Sequence, residues 1–404
     1  MDEINPSNLI AVAVAMVIAA GIPALLPRLP LPAVVLEIVL GAVVGPQVLG
    51  LVHPGARLNF LADFLGLGML FLMAGFETDP KVLRGRPIRN ALFGWAMTAV
   101  IAFGAAMLLN MLGLASAPLY TGLALTTTTI GTLLPMLRDS GLLAPPYGPM
   151  VLAAGAIGEV GPVIALSLIQ AKDRAPEQAL IMIVFAALAA GAVVLAQRAS
   201  RSSFEGIVTR TMTTSSQLPV RLAMCALILL GVLSEQLQIE VVVGAFIAGA
   251  LTRAALERQH DEAMKARLDG AGSAFLIPIF FVTSGVRLDV ASLVSSPIAL
   301  TMAAVYALLM LVARGAPALL LYGADLSLRQ RVGLALHSGT QLPLVVAITA
   351  IAVRHGAMSS AQGAVLVGGG ILSTILFPQL AKLFLEAEPA PQPVKARGRW
   401  AFWV

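Results

Sequence analysis

The stretch Tyr147–Gln170, YGPMVLAAGAIGEVGPVIALSLIQ, is apolar along its whole length except for one charge, Glu159, near the middle. As a helix it is long enough to cross a bilayer. A carboxylate at that depth is costly to insert unless it finds a partner, a proton or water. It can hold a proton or a cation, and never both at full strength. Exposed alternately to the two sides of a membrane, it would couple the two fluxes. Gly155, Gly158, Gly161 and Pro162 surround it and permit close packing and local unwinding, where carbonyls could face an ion. The plainer reading of Glu159 is a helix cap or a buried structural contact.

Two further segments carry oxygen ligands. Thr126, Thr127, Thr128 and Thr129, followed by Ile130 and Gly131, form a β-branched hydroxyl run that holds a continuous helix poorly. His337, Ser338, Gly339, Thr340 and Gln341 precede Leu342-Pro343, and the Gly and Pro open the helical ladder. Ordinary hydrogen bonding between membrane helices is the alternative for these hydroxyls. Arg314 lies well inside an apolar span; a guanidinium cannot shed its proton, so it must pair, snorkel or meet water. Glu37 sits about a turn and a half into its span and is a possible accessory carboxylate. Asp63, near a span end, reads as interfacial.

These residues sit in a chain of 404 residues that is 58% hydrophobic and 12% charged, with a mean hydropathy of +0.90. A soluble domain carries about 25% charged residues, so the class is an all-α polytopic membrane protein. The apolar runs are continuous and do not alternate, which disfavours a β-barrel. The single cysteine, Cys225, excludes a disulfide framework and a cysteine metal site. No cofactor, no resident metal and no enzymatic chemistry is indicated, since the four His residues are scattered and only His337 falls in a candidate site. The net charge of +5 comes from basic residues in short loops, which makes them topology signals and argues against nucleic acid as a partner. With Asp2 and Glu3 ahead of the first apolar run, no cleavable signal peptide is expected.

About thirteen spans are expected, near 7–27, 31–51, 60–76, 90–112, 117–137, 147–170, 178–197, 219–234, 238–254, 271–286, 297–322, 330–353 and 360–384. Sorting the loops onto alternate sides places 20 Lys and Arg on one side and 5 on the other, with Arg314 left inside a span. The positive-inside rule then puts the N-terminus outside and the C-terminus in the cytoplasm, in a cell inner (plasma) membrane.

The two halves resemble each other. GLAL at 122–125 recurs at 333–336, FLGLGMLFLMAGFETD (64–79) matches FLIPIFFVTSGVRLD (275–289), and GAVVG (41–45) echoes GAFIAG (244–249), in the same order. The matched units start an odd number of spans apart, so equivalent helices run in opposite directions: two inverted-topology repeats, with sites near the midplane at discontinuous helices. The expected organisation is 1–197 as the first repeat with a linking helix, 198–218 as a cytoplasmic linker, 219–384 as the second repeat, and 385–404 as a short tail.

At this point the residues carry a resemblance. Leu31-Pro32 with GAVVGP, LMAGFETD, IGEVGP, GAFIAG and FFVTSG, in that order, make the chain similar to the monovalent cation:proton antiporter-2 family, over about residues 8–384. The resemblance implies a sodium/proton antiporter-like fold: a scaffold domain that forms a homodimer, and a mobile core with two crossed, broken helices, spans 5 and 12. It implies that Glu159 takes the place of the cation- and proton-binding carboxylate, with Gly158 where the family carries Asp, Asn or Gln. Arg314 matches the basic residue that interacts with that pair. Thr128 or Thr129 replaces an acidic residue of the first crossing helix, and Gln341 one of the second. One carboxylate in the pair implies one-for-one, electroneutral exchange of Na+ or K+ for protons. No nucleotide-binding regulatory domain is expected after the spans. The alternative is a proton- or sodium-coupled transporter of a small organic solute on the same fold.

Overall fold

In lipid a backbone must satisfy its own N–H and C=O groups, so the apolar runs fold as helices. The computed structural model describes residues 6–25, 31–77, 85–128, 137, 142, 146–171, 175–199, 211, 216–237, 239–256, 261–294 and 296–385. In chain order the helices are α1 (Pro6–Leu25), α2 (Ala33–Val44), α3 (Ala56–Glu77), α4 (Gly85–Met111), α5 (Pro118–Leu125), α6 (Tyr147–Ala171), α7 (Ala175–Ala199), α8 (Leu218–Gln236), α9 (Val241–Ala255), α10 (Glu262–Arg287), α11 (Val290–Val294), α12 (Pro297–Leu321), α13 (Leu328–Ser338), α14 (Leu342–Arg354) and α15 (Ser360–Leu385). Each expected span contains helix. Among the described residues, nine stretches are long and apolar enough to cross a membrane, while α2 and α9, of 12 and 15 residues, are shorter. The expected linker lies largely, and the tail from Glu386 wholly, outside the described residues.

The helices sort into two units. α1, α2, α3, α8, α9 and α10 pack together, and so do α4, α5, α6, α12, α13, α14 and α15; α7 bridges them by touching α6 and α9. The packing scheme occurs twice. α3 lies on α9 as α2 lies on α10, α1 backs α2 as α8 backs α9, and α4 holds α5 and α6 as α12 holds α13 and α15. Even a local irregularity is duplicated: one π-helical turn at Leu61–Gly66 in α3 and another at Gly272–Leu276 in α10.

Glycines set how closely the first unit packs. A Cβ on Gly75 would stand 2.0 Å from the Phe246 carbonyl oxygen, and one on Gly249 would stand 1.8 Å from that of Leu72. The α2–α10 crossing has the same construction: a Cβ on Gly41 would stand 2.1 Å from the Val282 oxygen and one on Gly285 2.1 Å from that of Ile38. Backbone meets backbone at both crossings, which is how membrane helices gain van der Waals contact without a hydrophobic driving force. Gly249→Ala is therefore expected to separate α3 from α9 and lower the melting temperature of the purified protein, at a cost of about 1–3 kcal/mol or more from overpacking. Gly104→Ala, with nothing within 4 Å of the added carbon, should leave it unchanged. Equal melting of the two variants would contradict the crossing geometry.

Candidate functional site

The second unit positions the candidate residues. α13 starts with a capping box, in which the Ser327 side chain accepts from the Gln330 backbone N–H and the Gln330 side chain accepts in return. It stops at Ser338. Gly339, Thr340 and Gln341 then break the helix, and α14 restarts at Leu342 with Pro343 in its first turn. α5 is only eight residues long and ends at Leu125. The two breaks are tied together. The Thr128 hydroxyl donates to the Ser338 carbonyl (2.7 Å), the Thr127 hydroxyl approaches Gln341 Oε1 (3.4 Å), and Gln341 Nε2 donates to the Leu125 carbonyl (3.4 Å). Thr127, Thr128, Thr340 and Gln341 are all buried.

The third participant is α6. Pro162 has no N–H, so the carbonyl four residues earlier, that of Gly158, lacks its helical donor. The Thr128 backbone N–H supplies one instead, at 3.0 Å. The local unwinding expected around Glu159 does not occur, because α6 runs unbroken from Tyr147 to Ala171 and its freed carbonyl is capped from the α5 break. Glu159, the next residue, is 3% exposed. The two breaks, with their helix C-termini of partial negative charge, thus meet at the stretch of α6 that carries Glu159.

Arg314 comes from α12 and is 5% exposed. It meets α6 at Gly158, beside Glu159: its Nη2 donates to the Ala154 carbonyl at 2.9 Å and would lie 2.7 Å from a Cβ on Gly158. The guanidinium forms no ion pair among the described residues, and its Nε has no hydrogen-bond partner there. Thr128 closes the other side of Gly158, with its Cβ 2.8 Å from the same point. The Trp95 indole of α4 packs on Gly161, 2.6 Å from where a Cβ would be.

Other candidates have different occupations. His337 hydrogen-bonds through Nδ1 to the Tyr147 hydroxyl at 2.8 Å, fastening α13 to the start of α6. The Thr340 hydroxyl turns back to the Leu336 carbonyl, and those of Thr126 and Thr127 to the carbonyls of Leu123 and Ala124. They cap helix ends while keeping lone pairs. Glu37 is buried in α2, in the other unit, and forms no hydrogen bond or ion pair among the described residues. Thr129 lies outside the described residues. Sequence reasoning missed Tyr147 and Trp95, although Trp95 is the one Trp inside an expected span.

The sequence pattern of the family described as "Sodium/hydrogen exchanger, transmembrane" matches residues 13–387. YjbQ of Bacillus subtilis (strain 168), which carries a Na(+)/H(+) antiporter name, is 26% identical over 96% of this chain, which spans 65% of that protein's length. The high-affinity Na(+)/H(+) antiporter NhaS3 of Synechocystis is 24% identical over 81% of this chain and 72% of its own length. The structure of the sodium proton antiporter MjNhaP1 from Methanocaldococcus jannaschii superposes with a TM-score of 0.60 at 17% identity, covering 93% of each chain. With the pattern spanning nearly the whole chain and the helices following the MjNhaP1 fold, this polytopic membrane protein belongs to the sodium/hydrogen exchanger family.

Proposed function

We propose that the chain exchanges a monovalent cation, Na+ or K+, for protons by alternating access, with Glu159 carrying either the proton or the cation. The observation that carries this reading is the convergence on α6: a buried carboxylate beside a proline-freed carbonyl, where the α5 and α13–α14 breaks meet. Thr127, Thr128 and Thr129 supply hydroxyl oxygens suited to an alkali cation, and Gln341 and Ser338 hold the second break against the first. Arg314, which reaches α6 one residue before Glu159, is the fixed positive charge that compensates the carboxylate when the cation and proton are both absent.

The unit of α4–α6 and α12–α15 is the moving core and the unit of α1–α3 and α8–α10 the scaffold. The duplicated packing and the matched π turns support reading these as two inverted repeats with crossed discontinuous helices within about thirteen spans. Residues 1–197 and 219–384 carry the repeats. The loop charges support an N-terminus outside and a cytoplasmic C-terminus, in the inner (plasma) membrane, and the scaffold is the surface for a homodimer. The finer placement in the antiporter-2 group rests on the order of its motifs.

In proteoliposomes with an imposed pH gradient, addition of Na+, K+ or Li+ is expected to dissipate the gradient, as followed by lumenal pH. With one titrating carboxylate at the site, a membrane potential should leave the exchange equilibrium unmoved. If no alkali cation dissipates the gradient, cation exchange is ruled out; a gradient that responds only to an organic solute would move the chain to solute coupling.

A further inference from the structure

The polar contacts that bridge the two units cluster around the C-terminus of α14. Arg287 of the scaffold fixes Asp63, Nη1 to Oδ1 at 2.9 Å, while donating from Nε and Nη2 to Asn59 Oδ1 at 3.1 and 2.7 Å. Arg354, the last residue of α14 in the core, then reaches across the divide. Its Nη1 lies 3.4 Å from Asp63 Oδ2 and its Nη2 3.5 Å from Glu240 Oε2. His355 Nε2 follows at 3.8 Å from Glu240 Oε1. Two scaffold carboxylates thus hold one end of a core helix.

A cavity of about 270 Å³ lies beside this clasp, between the units. Ile38 and Ser284 line its scaffold side, Val346 and Val367 its core side, and Asp63 and Arg354 its wall. A second cavity, about 510 Å³, lies on the scaffold side of the same wall and includes Glu235 and Glu240. α14 runs from the break at Gln341 to Arg354, about 20 Å at helical rise, so the first cavity follows the helix that leads to the candidate site.

We propose that Arg354 is the bolt of an outer gate: paired with Asp63 and Glu240 it bars the passage along α14, and on its release those two carboxylates line the cation's approach from outside. The proposal rests on the exchange reading and on its orientation. Exposed ion pairs are weak, and Arg354 is 45% exposed, which suits a contact that must break in every cycle.

The test uses the full-length chain with Cys225→Ser and Val346→Cys. Val346 is 3% exposed, lines the cavity beside the clasp, and lies five residues beyond Gln341. In right-side-out vesicles a membrane-impermeant methanethiosulfonate should label Cys at 346 roughly fivefold faster when Arg354→Ala is added, as expected for loss of weak exposed pairs. Glu240→Gln should act in the same direction, and Arg354→Lys should stay near the parent. Labelling no faster in Arg354→Ala than in the parent, or faster only from the opposite face, overturns the gate. Labelling requires no transport, so a gate that opens on Arg354→Ala in a protein that moves no alkali cation would leave the gate standing and remove the exchange reading.

Discussion

Vesicles carrying Glu159→Gln are expected to keep an imposed pH gradient when Na+, K+ or Li+ is added, at the level of protein-free vesicles. The amide has nearly the shape of the carboxylate, so α6 and its contacts can persist. It has no negative charge to neutralise a cation and no proton to release, so both halves of the cycle fail together. The substitution also separates a transporting from a structural carboxylate. Glu159 is buried in a membrane helix, where an ionisable group is costly to keep. If it serves exchange, the Gln protein should melt at or above the parental temperature while activity is lost. If it serves only as a structural contact, activity and melting temperature should fall together. Lumenal pH and thermal unfolding on one preparation decide between the two, and retained cation-dependent gradient collapse would remove Glu159 from the cycle altogether. Glu159→Asp, which keeps the charge on a shorter stem, is expected to retain part of the rate.

Much of this architecture is local in origin and hence legible in the sequence. Span positions follow from apolar runs as long as the bilayer is thick. The break at Gly339–Gln341 follows from Gly and Pro within an apolar segment, and the packing that occurs twice accompanies three ordered matches in the sequence. Pairings between distant spans were not legible. Pro162 and Gly158 stand four residues apart and advertise a free carbonyl, but nothing local says that Thr128, thirty residues upstream, would cap it. The threonine run reads as a set of ligands, yet the hydroxyls of Thr126 and Thr127 point back along their own helix end. His337 sits among site residues in the sequence and beside Tyr147 in space. Arg354 counts only as a loop charge until Asp63, 291 residues away, is placed against it. The π turns have no hydropathy signature at all, since they alter the register of a helix and not its polarity.

Gly158 stands where the sequence resemblance implies Asp, Asn or Gln, and its surroundings give it a definite expected behaviour. Placing an amide there with Gly158→Asn should lose exchange, not improve it. The new Cβ would meet Arg314 Nη2 at 2.7 Å, Thr128 Cβ at 2.8 Å and Thr128 Oγ1 at 2.9 Å, all closer than real contacts allow. Arg314 is the flexible neighbour and could retreat only by giving up its bond to the Ala154 carbonyl. Thr128 cannot retreat, because its N–H is bound to the Gly158 carbonyl and its hydroxyl to that of Ser338. The strain therefore falls on the joint between the α5 break, α6 and the α13 end. Overpacking of this kind costs about 1–3 kcal/mol, enough for a clear fall in melting temperature together with the loss of rate. Gly158→Ala should show most of the stability loss, since the first carbon makes the collision. Adding Thr128→Gly to Gly158→Ala removes two of the three collisions, while that of Arg314 remains and the bond to Ser338 is lost, and should cost less than the two single losses added together, a non-additivity that distant sites do not show. Parental melting and rate in Gly158→Asn would mean that Arg314 and Thr128 do not occupy the space beside α6.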